Sequence, residues 1–254
     1  METMTMMDVQ VRNVRFDAGK PKICVPLIGT TFDEIIEQAS QAKKHADVIE
    51  WRADYYKDIL DDEELLITLL ALRDELREIP LIFNLRTKPE GGQVELTLRE
   101  YRRINEFAVS SRAIDIADIE LSHVDKLGST FIKWMQALDT KVILSDHNYQ
   151  GTPENAVLLF RLNMMEHWGA DIAKIVVVPD NEGDVIRLME MTMKAQTFVT
   201  LPTITVSIGK LGKLSRVAGY LDGSCMTYGC LPGHSSAEGQ IEVEKLAAIL
   251  AEFS

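Results

Sequence analysis

Short apolar runs rich in Val and Ile alternate along the chain with longer segments in which apolar residues return every three or four positions. The first pattern suits strands buried on both faces, and the second suits helices with one apolar face. Eight strands are predicted, at 22–28, 46–52, 80–86, 114–121, 140–147, 171–178, 203–208 and 225–230. Eight helices are predicted over 31–43, 60–78, 97–111, 129–138, 153–168, 182–196, 213–221 and 240–252. The clearest is 60–78, where Leu65, Leu66, Leu69, Leu70, Leu72, Leu76 and Ile79 recur beneath a charged face. Thr152-Pro153-Glu154 opens another, as a cap residue followed by Pro at the first helical position.

Regular alternation of the two patterns is the mark of β/α units around a parallel sheet. Eight units in 254 residues fit a single α/β domain, a (β/α)8 TIM barrel spanning 1–254. Such barrels run to about 250 residues, whereas a doubly wound open sheet has fewer strands and fits less well. Residues 9–20 alternate Val11, Val14 and Phe16 with polar residues and end at a Gly turn, which predicts an N-terminal β-hairpin covering the barrel bottom.

Charge narrows the partners. With 27 Lys+Arg against 39 Asp+Glu, the chain carries a formal charge of −12, so nucleic acid and anionic membrane surfaces are excluded. A small-molecule ligand remains. Three cysteines, Cys24, Cys225 and Cys230, are too few for a disulfide framework and point to reduced thiols in a cytoplasmic setting. The opening METMTMMDVQ has neither the basic nor the apolar stretch of a signal peptide, and no run approaches the roughly 18 apolar residues of a membrane span.

In a barrel the chemistry gathers at the C-terminal strand ends. There the second strand places Glu50 and Arg52 on one face, the third Asn84 and Arg86, and the fifth ends Ser145-Asp146-His147. Lys174 stands mid-strand in Ile172–Val178, where desolvation would disfavour the ammonium and leave an amine able to attack carbonyls. The alternative is a lysine that snorkels or pairs with Asp118 or Glu120, keeping its charge and losing nucleophilicity. His147 is the one histidine at a predicted strand end and can serve as base and then acid. Glu90, in the loop after Arg86, either orients that imidazole or is a solvated charge. The basic, glycine-rich 208–216 ends at Arg216 and suits a carboxylate or a phosphate. The last loop, 232–240, reads either as a mobile cover or as a helix cap, with Ser235 and Glu238 at capping-box spacing. No metal-ligand spacing and no dinucleotide fingerprint is present, so neither metal nor cofactor is expected.

Nearly the whole chain resembles the type I 3-dehydroquinate dehydratases, through KICVPLIG, Glu50-Trp51-Arg52-Ala53-Asp54, FNLRTKPEGG, LSDHNYQGTP, DIAKIVVVP, SIGKLGKLSRVAG and SSAEGQI in family order. The resemblance implies dehydration of 3-dehydroquinate to 3-dehydroshikimate through a Schiff base, within the shikimate pathway, by a homodimer. It further implies that Lys174 forms the imine, that His147 is the general acid/base supported by Glu90, and that Glu50, Arg52 and Arg86 hold ring hydroxyls. Arg216, Ser236 and Gln240 would hold the carboxylate and close a lid. Three positions depart from the family pattern: Asp146 replaces an aromatic residue, Glu238 a lid proline, and Pro26 a serine found in some members. The first is expected to shift the pKa of His147, the second to loosen the lid. A class I aldolase would share the lysine, and a non-catalytic carboxylate-binding barrel would share the anion site.

Overall fold

A computed structural model describes residues 7–253; the opening residues 1–6 and the last lie outside it. All eight predicted strands form, as β3 (Lys22–Leu27), β4 (Val48–Arg52), β5 (Leu81–Asn84), β6 (Ile116–Glu120), β7 (Lys141–Asn148), β8 (Ile172–Val177), β9 (Thr203–Ser207) and β10 (Met226–Cys230). Ahead of them β1 (Val9–Val11) and β2 (Val14–Phe16) pair antiparallel as the expected hairpin. A two-residue strand, β11 (Ile241–Glu242), adds to β10, giving one sheet in the order β11-β10-β3-β4-β5-β6-β7-β8-β9 with parallel pairings throughout. The sheet curls until β9 lies beside β10. There the Cys225 N–H donates to the Thr203 carbonyl at 2.8 Å, and the Thr205 N–H donates to the Ser224 hydroxyl at 3.1 Å. The architecture is the expected TIM-like α/β fold with a thinly bonded seam.

Helices α1 (Phe32–Ala42), α2 (Asp62–Leu76) and α3 (Leu98–Ser110) lie within their predicted spans, and α3 carries a full capping box between Thr97 and Glu100. Between β6 and β7 stand two helices where one is predicted, α4 (Leu121–Leu127) and α5 (Ser129–Ala137). Gly128, at φ +78°, splits a helical pattern that starts as soon as β6 ends. Helix α6 (Asn155–His167) begins later than the predicted 153; the Thr152 hydroxyl donates to the Val178 carbonyl and caps nothing. After α7 (Glu182–Ala195), the predicted helix 213–221 is replaced by a 3-10 helix at Leu211–Arg216 and the single turn α8 (Gly219–Asp222). The Ser215 hydroxyl tightens that turn, donating to the Gly212 carbonyl at 2.8 Å while accepting from the Ser207 N–H at 3.0 Å. The predicted helix at 240 starts only at α9 (Val243–Ala251), because 241–242 pair with β10.

Two apolar clusters result. One fills the space between sheet and helices, with Trp51, Phe83, Tyr101 and the buried leucines of α2. The other lies inside the barrel, where Cys24, Val48, Ile82, Ile116, Ile143, Ile172, Ile204 and Met226 form a floor over which Val9, Val11 and Phe16 of the hairpin close. Period two then decides what stands above that floor. Two residues on from six of these positions come Glu50, Asn84, Asp118, Ser145, Lys174 and Tyr228, and two further on, along four of those strands, Arg52, Arg86, Glu120 and His147, all buried.

Candidate active site

Lys174 is the centre of this polar layer. Its Nζ donates to Asp118 Oδ2 at 2.8 Å and to Glu50 Oε2 at 3.3 Å, and stands 4.9 Å from the centre of the Tyr228 ring. Side-chain exposure is at most 2% for the lysine and both carboxylates, so the ion pairs are held out of water. The paired alternative therefore describes the lysine, with one correction. Glu120, an expected partner, instead accepts from the Thr87 N–H and hydroxyl, both at 2.7 Å, and stands 3.2 Å from His123. Glu50 also accepts from the Tyr228 hydroxyl at 3.1 Å, and Asp118 from the Ser145 hydroxyl at 2.5 Å. Burial pushes the Glu50 carboxyl up, but Lys174, Arg86, Arg52 and the Asn84 amide together outweigh it and hold the group down at about 2.

His147 sits on β7, two residues beyond Ser145, which is in register with Lys174. Its Nδ1 lies 3.0 Å from Glu90 Oε2, and the other Glu90 oxygen accepts from the Ser122 hydroxyl at 2.7 Å. Glu90 ends a 3-10 turn, Lys88–Glu90, and is buried, so it is no solvated loop charge. Burial, with Glu120 and Asp146 nearby, pushes Glu90 up to about 8. Burial, with Arg86, Lys174 and Arg52, pushes His147 well below its ordinary value. The imidazole is thus neutral at neutral pH, and its buried Nε2 has no hydrogen-bond partner among the described residues. Asp146 points the other way, to Arg161 Nη1 at 2.5 Å; it acts on Glu90 rather than on His147, which corrects the expected effect.

Arg52 and Arg86, expected to act together, part company. The Arg52 guanidinium forms a two-pronged bond to Asp54, at 2.7 and 2.8 Å. Arg86 faces a cavity that Glu50, Lys174, Arg216, Ser236 and Gln240 also line. Arg216 approaches the carbonyls of Tyr228 and Glu238 at 3.4 Å each, and burial pulls it down to about 10. Over it lies the loop 232–240, in which Gln240 accepts from the Ser236 N–H at 2.8 Å and donates to the Ser236 hydroxyl at 3.0 Å. The capping box does not form, since Ser235 bonds to Ala237 and Gln240. Gly239, at φ +82°, presses against the Gly209 carbonyl, a contact that leaves no room for a side chain. Lys210 and Lys213 are exposed and take no part.

Apolar floor, buried lysine between carboxylates, neutral histidine and unpaired arginines under a loop form a site for a small carboxylic acid with an electrophilic carbon. Residues 23–254 match the family described as type I 3-dehydroquinase. The chain belongs to that family. Among its relatives, 3-dehydroquinate dehydratase of Klebsiella pneumoniae (strain 342) is 39% identical over 245 residues, covering 95% of this chain and 97% of the relative. That of Clostridium botulinum (strain Eklund 17B / Type B) is 38% identical over 244 residues, covering 95% and 96%. A solved type I 3-dehydroquinate dehydratase from Clostridium difficile with covalent modified comenic acid superposes with a TM-score of 0.94 at 34% identity, covering 98% of each chain. The enzyme from Geobacillus kaustophilus HTA426 gives 0.94 at 34% identity over 99% and 98%.

As a type I 3-dehydroquinase the chain shares its fold with the solved Clostridium difficile enzyme over 98% of its length, and its sequence undersold several residues. Tyr228 lies inside a predicted strand, yet nothing in the run 225–230 singles it out. Asp118 and Ser145 share parity with Glu120 and His147, and that parity was the available signal.

Proposed function

We propose that this type I 3-dehydroquinase dehydrates 3-dehydroquinate to 3-dehydroshikimate through an imine on Lys174, as a cytoplasmic homodimer with 1–254 acting as one catalytic domain. The observation that carries the mechanism is the position of Lys174, buried and lining the same cavity as Arg216. The substrate carboxylate lies against Arg216, Ser236 and Gln240, while Glu50, Arg52 and Arg86 meet ring hydroxyls. Lys174 condenses with the ketone and water leaves. The iminium acidifies the neighbouring C–H, because the electron pair left behind is delocalised as an enamine. Neutral His147, held by Glu90, takes that proton, and the enamine expels the β-hydroxyl as His147 returns the proton to the leaving water. Hydrolysis of the imine releases product and lysine. Holding both groups against the substrate replaces encounters by positioning.

Exposed Val157 and Phe160 on α6 and Ile186 and Met193 on α7, two helices in contact, support a dimer face. Borohydride reduction in the presence of 3-dehydroquinate, followed by peptide mapping, is expected to place a stable adduct on Lys174. An adduct elsewhere, or none with enone still formed, overturns the mechanism. Two smaller carbonyl products would make the chain an aldolase, and binding without turnover a carboxylate-binding barrel.

A further inference from the structure

The imine reading leaves a step without an agent. A lysine locked between two buried carboxylates is an ammonium, and an ammonium has no lone pair with which to attack a ketone. One proton must leave Nζ before the first bond can form. Among the described residues Nζ makes no hydrogen bond to His147; its two side-chain hydrogen bonds go to Asp118 and Glu50. Two acceptors touch Nζ, and their surroundings differ.

Glu50 is the poorer of the two. It lies farther away, at 3.3 Å, and already accepts from the Tyr228 hydroxyl on the oxygen that faces the lysine. Arg86 and Arg52 add to the charges that hold it ionised, and it sits at about 2. Asp118 is nearer, at 2.8 Å, and the same Oδ2 has one other neighbour, the Asn84 amide at 3.4 Å. Its second oxygen is fixed by the Ser145 hydroxyl, on the strand whose Ser145 is in register with Lys174. Beyond Lys174 and Glu50, the titratable groups around Asp118 are Cys24 on β3, Tyr228 on β10 and Tyr101 on α3.

We infer that Asp118, oriented by Ser145, is the base that takes the proton from the Lys174 ammonium and so makes the amine that attacks the substrate ketone. The inference rests on the imine reading. In the step, the Nζ–H bond breaks, the proton moves to Oδ2, and the electron pair stays on nitrogen as the nucleophile; charge is conserved as two ions become two neutral groups. Glu50, still ionised, faces the iminium that follows; Asp118 gives its proton to the carbinolamine oxygen, which leaves as water, and hydrolysis of the iminium runs the same transfers in reverse and re-forms the ammonium. Two carboxylates thus divide the work, one as proton acceptor and one as fixed counter-charge.

Single-turnover borohydride trapping with 3-dehydroquinate separates this from the reading beneath it. If wild-type enzyme gives no Lys174 adduct, the imine reading itself fails. Given that adduct, Asp118→Asn keeps the size and the acceptor oxygen but removes the ability to take a proton. Its trapping rate at pH 7 is expected to fall at least 100-fold and then to climb about tenfold per pH unit toward pH 9, because only amine deprotonated by solvent reacts. Asp118→Ala is expected to recover part of the rate when formate is added, and Ser145→Ala to lose about 3- to 10-fold. Circular dichroism and binding of the product carboxylate report whether each variant is folded. Folded Asp118→Asn that traps within threefold of wild type, with an unchanged pH profile, overturns the assignment, as does a folded Asp118→Ala that formate leaves unmoved.

Discussion

The lid hangs on Gly239, and Gly239→Ala tests how much of substrate capture depends on it. The residue holds φ +82°, a conformation that costs a residue with a Cβ about 1–2 kcal/mol. The added Cβ would also lie 2.1 Å from the Gly209 carbonyl oxygen, far inside the roughly 3.5 Å at which such atoms rest. To clear it the loop must lift from 209. That breaks the hydrogen bond from the Gly209 N–H to the Glu238 carbonyl, at 3.0 Å, and the approach of Arg216 to the same carbonyl. One net hydrogen bond is worth about 1 kcal/mol, so the closed lid loses about 2–3 kcal/mol in all. At 1.4 kcal/mol per tenfold, that is about 30- to 150-fold.

The loss falls on carboxylate binding, because Lys174 and His147 stand on barrel strands and not on the lid. Steady-state kinetics followed by ultraviolet absorbance of the enone product should show KM raised by that factor and kcat within a few-fold of wild type. Thermal stability should scarcely change, since the loop is largely exposed. KM within threefold of wild type refutes the argument. A loss confined to kcat would put the loop in the chemistry and refute it equally.

Three other outcomes follow from the buried charges and the barrel floor. Glu90 is pushed up to about 8, above its unfolded value, so its contribution is fully present below about pH 4.5 and lost as pH rises through 8. Glu90→Gln mimics the protonated form, and its stability relative to wild type should therefore rise between pH 5 and 8, by no more than about 1.4 kcal/mol per unit. A flat difference in urea midpoints across that range contradicts the assignment. Asp54→Ala strands the Arg52 guanidinium, whose side chain is 2% exposed, and should cost about 3–5 kcal/mol in denaturant unfolding; under 1 kcal/mol would show that Arg52 finds water. Phe16→Ala opens a cavity beneath the floor and should cost about 3–5 kcal/mol while leaving kcat per folded molecule unchanged; a loss of kcat with stability intact would make the hairpin part of the site.

Much of this was legible because strand parity is a local property. Val48, Glu50 and Arg52 follow one another at every second residue, as do Ile116, Asp118 and Glu120, so floor and polar layer could be read along single strands. Which charge meets which could not. Asp118 and Glu120 are equivalent in sequence as partners for Lys174, and the choice between them follows from the register of β6 on β7 and β8 and from Thr87 claiming Glu120. Likewise α4 escaped notice because a strand and a helix abut with no intervening turn, and the 3-10 winding after β9 depends on Ser207, a contact outside the helix itself. Lys210 and Lys213, grouped with Arg216 by their shared loop, are exposed, whereas Gly212, Ser215 and Arg216 are the residues of that turn that are buried.

A chain with a formal charge of −12 still has to admit an anion, and the ion pairs show how. Inside the barrel Lys174 is matched by Asp118 and Glu50, and Arg52 by Asp54. Arg86 and Arg216 have no ion-pair partner among the described residues, and each buries an Nε that makes no hydrogen bond. Unpaired buried cations cost stability, and burial weakens the hold of Arg216 on its own proton. Both line the cavity that reaches Lys174. A compact carboxylate reaching them supplies the missing counter-charge, whereas a long polyanion meets the acidic exterior first. Selectivity for a small acid thus arises less from an excess of positive charge than from where two unmatched charges are buried.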